Sequence, residues 1–460
     1  MPASTSAYKE YMNPLLILCI GVVIVVGMIV VLKVNAFVSL TTAAIIISML
    51  APGQLEDKIA RVAREFGNVV GSIGIVIALA AIIGKCLMDS GAADCIVRFF
   101  LRMLGEKRAP AALLASGFIL SIPVFFDTVF YLLVPLARSL WRRTRRNYVL
   151  YITAIGTGAS ITHVLVPPTP GPLFVANNLG IDLGMMIMVG LLIGVPSAAV
   201  AMLACFVINH FTALPMRPYP GESDTGTTTE NHEPPLWQSV LPVVLPVLLI
   251  SSNTISKAMQ WKGVVPFTSV AGDPNLALLI AAVIAMVVLV RTRHVSLAEL
   301  GKTTEEALMS GSVIILITAA GGAFGAMLRA CDIQGTMSKW IHNESSGAGT
   351  AILLAGFVMA SVLKFAQGSS TVAMITSSTT MAALGVNTRM LGFHPVYLAA
   401  VIAGGSLVGG WMNDSGFWVI SRMSMLTEVE TLKSWTIAAA ATGLSIFGFS
   451  LLFAHLLPLV

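Results

Sequence analysis

Two similar apolar segments of this chain lie 240 residues apart, and each is followed by a polar break. Ala111–Ser121 (AALLASGFILS) and Ala351–Ser361 (AILLAGFVMAS) are identical at five of eleven positions. The first copy continues into Pro123 and Asp127, and the second into the polar run Gln367–Thr371. Polar or Pro/Gly-broken segments at corresponding places of two halves are typical of the substrate sites of secondary transporters. The repeat therefore predicts a transporter and indicates where its site lies.

The composition indicates a membrane protein. Of the 460 residues, 56% are hydrophobic and only 11% are charged, whereas about 25% of a soluble domain is charged. Because a helix satisfies its own backbone hydrogen bonds in lipid, we expect an all-α polytopic membrane protein. Hydropathy predicts ten spans: 12–32, 36–51, 69–88, 148–165, 183–209, 237–255, 276–291, 312–328, 394–411 and 434–458. We expect the first of them to be retained rather than cleaved as a signal peptide.

Several function classes are disfavoured by the sequence. Basic loops that orient the protein account for the net charge of +5, so we expect no nucleic-acid partner. The five cysteines lack disulfide or metal spacing, and no zinc-protease or phosphate-binding motif occurs. We therefore predict no cofactor, no metal site and no enzyme activity. An intramembrane hydrolase that uses His163 with a serine stays open as the alternative.

One hydrophilic segment divides the chain. Thr212–Pro235 is rich in Pro, Gly, Thr and acidic residues, which favours an irregular loop outside the membrane. We therefore predict an N-terminal transmembrane repeat over residues 1–211, an inter-repeat loop over 212–235 and a C-terminal repeat over 236–460. Short amphipathic segments, Leu55–Phe66 and Ser296–Leu308, precede corresponding spans, and we expect them to lie at the membrane surface.

Loop charge predicts how residues 110–138 are threaded. Clusters of basic residues stand on both sides of the segment: Arg98, Arg102, Lys107 and Arg108 before it, and Arg138, Arg142, Arg143, Arg145 and Arg146 after it. Because positive loops stay in the cytoplasm, the segment is expected to enter and return as a re-entrant hairpin with its tip at Pro123–Asp127. One long kinked helix is the alternative. Residues 350–384 lack such flanks, which favours two inverted repeats, each with a re-entrant hairpin and a broken transmembrane helix.

The first hairpin tip supplies a candidate for proton coupling. A carboxylate deep in the bilayer costs about 2.5–3.5 kcal/mol, so Asp127 should be paired, hydrated or protonated. Desolvation favours the neutral form of a carboxyl, which would let Asp127 bind and release a proton. We predict that Thr128, the next residue, binds the substrate. The alternative for Asp127 is a cap on the hairpin turn.

The second hairpin tip is the candidate substrate site. Gln367, Gly368, Ser369, Ser370 and Thr371 place polar side chains around a glycine, where backbone amides can approach a ligand. Helix N-termini that face inward would attract an anion, so this tip suits a carboxylate that bears hydroxyls. Packing of helices through small residues is the alternative. Lys364 could neutralise the substrate, pair with a protein carboxylate or extend to the membrane surface.

Two further breaks supply the remaining candidates. His163 precedes the run 167–172 (PPTPGP), which cannot continue a helix. We predict that His163 carries a proton, with an interhelical hydrogen bond as the alternative. At the corresponding break of the second half, Asn413 is expected to bind substrate and Asp414 to take part in proton coupling. An Asx-type cap on the following helix is the alternative there.

These motifs resemble the gluconate:proton symporter (gluconate permease) family of the ion transporter superfamily. The matching motifs are, in chain order, IPVFFD (122–127), LLVPL (132–136), His163 with PPTPGP (167–172), LGIDLG (179–184), AGGAF (320–324), QGSSTVAM (367–374) and NDSGFW (413–418). The chain departs from the family at Thr169, where the family often has His, and around Leu173–Asn178 and Arg329–Asp332. The first two departures flank the expected site, so they bear on which acid is carried.

The resemblance implies a proton-coupled importer of gluconate or a related small hydroxy or sugar acid. It also implies a multi-pass protein of the bacterial inner membrane, alternating access by an elevator-like movement and assembly as a homodimer. The expected partners are thus the anionic hydroxy acid, protons and the lipid bilayer. A sodium-coupled carrier, or a carrier for D-serine-like or dicarboxylate substrates, is the alternative. Carboxylates, amides and hydroxyls can bind either a proton or sodium, so the sequence does not separate the two.

Overall fold

A computed structural model describes residues 13–105, 108–212, 214–218, 234–331, 348–412 and 414–460. Within these ranges all regular secondary structure is helical, and seven helices are long and apolar enough to cross a membrane. The predicted all-α polytopic fold is confirmed. Three of the ten predicted spans, 12–32, 36–51 and 394–411, contain helices shorter than 18 residues.

The N-terminal half contains nine helices among the described residues. A π-helical turn, Gly27–Val31, extends the first of them. The helices are α1 Pro14–Val26, α2 Ala36–Leu50, α3 Asp57–Asp89, α4 Ala92–Leu104, α5 Ala109–Leu120, α6 Phe126–Thr144, α7 Tyr148–Leu165, α8 Pro170–Asn178 and α9 Leu183–Phe211.

The described residues of the C-terminal half contain eleven helices. A second π-helical turn, Leu432–Thr436, directly precedes the last of them. The helices are α10 Leu236–Ala258, α11 Val265–Ala271, α12 Pro274–Arg293, α13 Leu297–Arg329, α14 Ala348–Gln367, α15 Ser370–Ala383, α16 Thr388–Leu391, α17 Val396–Gly405, α18 Ser415–Met423, α19 Glu428–Thr431 and α20 Ile437–Leu456.

The order of elements in the first half recurs in the second. The helices α3 and α13 each have 33 residues and begin 240 positions apart. Each is followed by a helical hairpin (α5–α6 and α14–α15), an interrupted helix (α7–α8 and α17–α18) and a closing helix (α9 and α20). The predicted hairpin and broken helix thus occur in both halves. That one repeat is inverted relative to the other stays a prediction.

The two 33-residue helices pack against each other in antiparallel directions. A Cβ atom added at Gly322 of α13 would meet Val69 of α3, whereas one added at Gly311 would meet Ala81. The contact thus moves backward along α13 as it moves forward along α3. Corresponding helices of an inverted repeat would be related in this way.

The amphipathic segments Leu55–Phe66 and Ser296–Leu308 are not separate elements. Nearly all of each segment forms the first turns of a continuous helix, α3 or α13. A capping box at Ser296 and Glu299 starts α13 well before its apolar part, and no proline interrupts either helix. The two segments are therefore continuous with the spans that follow them, and their position at the membrane surface stays a prediction.

The first hairpin folds back at the predicted tip. Its first arm, α5, has 12 residues and is about 18 Å long, too short to cross a hydrocarbon core of about 30 Å. Helix α5 runs parallel to α7, because Leu114 lies beside Gly158 and Phe118 beside Thr162. Helix α6 packs on α7 and joins its start through three residues, so it runs the opposite way, which excludes one long kinked helix. Close packing of α5 on α7 depends on Gly158, where a Cβ atom would lie 2.2 Å from the carbonyl oxygen of Leu114.

The interruption between α7 and α8 is stabilised by a side chain. The proline-rich segment leaves carbonyl groups near the end of α7 without helical partners. The hydroxyl of Thr169 donates to the carbonyl oxygens of His163 (2.8 Å) and Val166 (2.7 Å). The opening in the helix is therefore a defined structure rather than a frayed end.

Candidate functional site

The two hairpin tips and the two helix interruptions meet at one cavity of about 280 Å³. Helix α13 and the π-helical turn before α20 complete its wall. Seven of the ten residues predicted from the sequence line it: Asp127, Thr128, His163, Ser369, Ser370, Thr371 and Asp414. Positions that are far apart in the chain therefore form one site.

The other three predicted residues have different positions. Gly368 does not line the cavity, but its carbonyl oxygen accepts a hydrogen bond from Lys364. Gln367 is the last residue of α14. Asn413 lies outside the described residues.

Four helices begin at the cavity. The first residues of α6, α8, α15 and α18 are Phe126, Pro170, Ser370 and Ser415, and all four line its wall. A helix N-terminus carries unsatisfied N–H groups and a partial positive charge equivalent to about half an elementary charge. Their convergence makes the cavity favourable for an anion.

Lys364 and Asp414 form a buried ion pair beside the cavity. The Lys364 ammonium lies 2.7 Å from Oδ2 of Asp414, and the two side chains are 4% and 11% exposed. The other carboxylate oxygen, Oδ1, accepts a hydrogen bond from the backbone N–H of Gly416, so the predicted Asx-type cap is also present. Of the three alternatives for Lys364, the structure shows the pairing with a protein carboxylate, that of Asp414. This pair joins the second hairpin to the second interrupted helix.

The hydroxyls of the second hairpin tip are only partly engaged. Ser369 caps α15 by accepting from the N–H of Val372 (3.3 Å), and Ser370 donates to the carbonyl oxygen of Ser406 (2.9 Å). Thr371 lines the cavity one residue further on. Since a hydroxyl can donate and accept at once, these side chains retain capacity for a ligand.

Two titratable groups at the cavity lack a hydrogen-bond partner within the described parts of the chain. Asp127 lies half-buried in the first turn of α6, and its carboxylate accepts no hydrogen bond there; the predicted cap on the hairpin turn is not formed. The Nδ1 atom of His163 is buried and unpaired within the same residues. Burying polar atoms without partners is unfavourable, so both groups are suited to a proton, water or ligand.

An aromatic wall was missed in the sequence. The rings of Phe126 and Trp435 stack with centroids 5.6 Å apart and planes 27° apart, and both line the cavity. Gly156 makes room for the indole, since a Cβ atom there would lie 2.5 Å from Trp435. Phe126 adjoins Asp127 in the sequence and could have been considered. Trp435 gave no signal, because it lies in an apolar run that reads as an ordinary span.

Within the described ranges, no set of three or more His, Cys, Asp or Glu side chains is arranged to hold a metal ion. The cavity offers helix N-termini and hydroxyls that can bind an anion, beside a carboxyl and an imidazole that can exchange protons.

Known proteins resemble the chain over nearly its full length. A family model described as "GntP family permease" matches residues 13–458. A gluconate permease of Pseudomonas aeruginosa is 31% identical, with 96% of this chain and 97% of that protein covered. The inner membrane permease YgbN of Escherichia coli is 29% identical, with 95% and 98% covered. The crystal structure of the Alcanivorax borkumensis YdaH transporter matches with a TM-score of 0.64 and 13% identity, over 92% of this chain and 98% of that one.

Proposed function

We propose that this chain, which belongs to the GntP permease family, imports gluconate or a related small hydroxy or sugar acid by proton symport. As a member of that family, it is a multi-pass transporter of the bacterial inner membrane and not an enzyme. The observation that carries the proposal is the convergence of four helix N-termini on a cavity that also holds Asp127 and His163.

The cavity suits a small anionic substrate. Its volume of about 280 Å³ lies just below the roughly 300–1,000 Å³ of pockets for drug-sized ligands, as expected for a smaller molecule. The helix N-termini attract the substrate carboxylate, and Ser369, Ser370 and Thr371 bind its hydroxyls. The stacked rings of Phe126 and Trp435 supply an apolar contact for the carbon chain. Relatives named gluconate permease support gluconate as the first substrate to test.

A co-transported proton offsets the cost of importing an anion. Moving one negative charge inward against a potential of 100 mV, negative inside, costs about 2.3 kcal/mol, and one proton cancels that charge. Asp127 is the first proton carrier in this proposal, because its carboxylate faces the cavity and lacks a partner among the described residues. His163 is the second, through its unpaired Nδ1.

Asp414 links substrate binding to protonation. In the structure its charge is balanced by Lys364. A substrate carboxylate that approaches Lys364 competes for the same ammonium, which removes part of the stabilisation of ionised Asp414. A carboxylate that loses its counter-charge in a buried site favours its protonated form. Substrate and proton would then bind together.

Uptake into proteoliposomes tests this function. Labelled gluconate is offered with an inward proton gradient, with an inward sodium gradient and with neither. We expect accumulation only with the proton gradient, inhibited more strongly by unlabelled gluconate than by D-serine or dicarboxylates. Accumulation driven by sodium would overturn proton coupling. Stronger inhibition by D-serine or a dicarboxylate would show that the protein is a transporter for that compound rather than for gluconate.

A further inference from the structure

A second cavity of about 270 Å³ adjoins the first. It lies between the long helices α3 and α13 and the tip of the first hairpin. Three residues line both cavities and form the wall between them: Phe125, Thr128 and Ser310. Thr128 directly follows Asp127, so the second cavity reaches the residue next to the proposed proton carrier.

The charged groups of the second cavity are Lys85 and Glu306, one from each long helix. The Lys85 ammonium lies 3.3 Å from Oε2 of Glu306 and 3.3 Å from Oδ2 of Asp89. Asp89 does not line the cavity, so the lining carries one positive and one negative charge. Glu306 is about half exposed and lies four residues before Ser310, so both occupy one face of α13.

Resting on the proposed proton symport, we propose that this second cavity is the route by which protons reach Asp127, with Glu306 as the carboxylate that collects them. At about 30 Å³ for each water, the cavity has room for several water molecules. The hydroxyl of Ser310 donates to the carbonyl oxygen of Ala307 (2.8 Å) and can still accept from water, and that of Thr128 can accept and donate. In this proposal, water in the two cavities connects Glu306, Ser310 and Thr128 with Asp127.

The charges around the cavity are of both signs. Lys85 and Glu306 line it with opposite charges, and Asp89 pairs with Lys85 from outside the lining. The groups that face Glu306 are Lys85 and Asp89 of α3 and, across the cavity, Tyr131 of α6. Arg293 of α12 donates to the backbone carbonyl of Asp89 and adds a positive charge there.

Glu306→Gln tests the proposed route in two assays. Uptake driven by a proton gradient requires repeated proton delivery, and we expect its initial rate to fall about tenfold, as for a barrier raised by about 1.4 kcal/mol. Exchange of labelled for unlabelled gluconate at equal pH requires no net proton movement, and we expect it to change less than about twofold by the same relation. Glu305→Gln is the matched control, because this neighbouring exposed carboxylate lines neither cavity.

Glu306→Asp, which keeps the carboxyl group, should retain gradient-driven uptake. An unchanged rate for Glu306→Gln would overturn the proposal. An equal loss of gradient-driven uptake and of exchange in Glu306→Gln would also overturn it, because the residue would then be needed for substrate binding or folding. The wild-type protein separates the two proposals: without proton-dependent uptake it is the proposed function that fails, and with such uptake the Glu306 variants decide the route.

Discussion

At the scale of single residues, the site combines charges that are paired with charges that are not. Lys364 and Asp414 balance each other in a buried position, whereas the carboxylate of Asp127 accepts no hydrogen bond within the described residues. A buried pair and an unpaired carboxyl respond differently to substitution. The two arrangements therefore lead to separate predictions.

Asp127→Asn should abolish gradient-driven uptake while the protein stays folded and inserted. The amide has the same shape but cannot carry a proton, and loss of a positioned proton-transfer group costs about 100-fold or more in rate. The measurement is initial uptake of labelled substrate, with thermal unfolding as the test of folding. Asp57→Asn, at an exposed carboxylate in the first turn of α3, is the control. Full coupled uptake by Asp127→Asn would refute its role.

Lys364→Met should destabilise the protein strongly. It leaves Asp414 buried without its counter-charge, which costs about 3–5 kcal/mol. The double variant Lys364→Met/Asp414→Asn should recover much of that stability without recovering transport. Thermal unfolding of the purified protein measures both effects.

The matched control for this pair is Arg422→Met. Arg422 and Glu428 form an ion pair with 71% and 41% of their side chains exposed, and such pairs contribute about 0–1 kcal/mol. If Lys364→Met cost no more than Arg422→Met, the buried pair would have no structural role.

At the scale of elements, the sequence predicted the hairpins and interruptions better than their surroundings. Clusters of proline and glycine indicated the openings after His163 and Gly405, whereas single prolines such as Pro135 and Pro196 lie inside helices. The presence of Trp435 and Ser310 in the cavity depends on how distant helices pack, and no local pattern encodes that. The sequence analysis did not predict that α3 is one continuous helix. Its residues change from polar to apolar, but such a change does not by itself end a helix.

Gly158→Ala should separate α5 from α7. The added methyl would lie 2.2 Å from a backbone carbonyl oxygen, which cannot move as a flexible side chain can. Overpacking of this kind costs about 1–3 kcal/mol, and we expect a lower thermal unfolding temperature. Gly448→Ala in α20, where a Cβ atom meets nothing within 4 Å, should leave stability unchanged or slightly increased. Equal behaviour of the two variants would contradict the close packing.

At the scale of the whole molecule, part of the loop between the halves is attached to both. Arg217 donates two hydrogen bonds to the carboxylate of Glu430, at 2.7 and 2.6 Å, and Arg138 of α6 donates to the backbone carbonyl of Arg217. The sequence predicted an irregular loop over 212–235 but not this attachment, because the partner is more than 200 residues away. The boundaries of the two repeats and the homodimer stay predictions.

Arg217→Gln should weaken this attachment modestly. The two side chains are 42% and 18% exposed, so we expect a loss of about 1 kcal/mol. Because salt screens exposed charges, the difference from wild type should shrink as salt rises from about 0.05 to about 1 M. Thermal unfolding at both salt concentrations measures it. A difference that is independent of salt would show that the bond is not mainly electrostatic.

The length of the antiparallel pair α3 and α13 makes bilayer thickness a variable for this carrier. Each helix is about 50 Å long, whereas the hydrocarbon core is about 30 Å thick. As membrane-spanning helices that run in opposite directions, they would place their polar first turns at opposite leaflets. Thinner or thicker lipid changes the tilt of such helices and the fit of everything packed on them. The fatty-acid composition of the membrane would thereby influence transport by this protein.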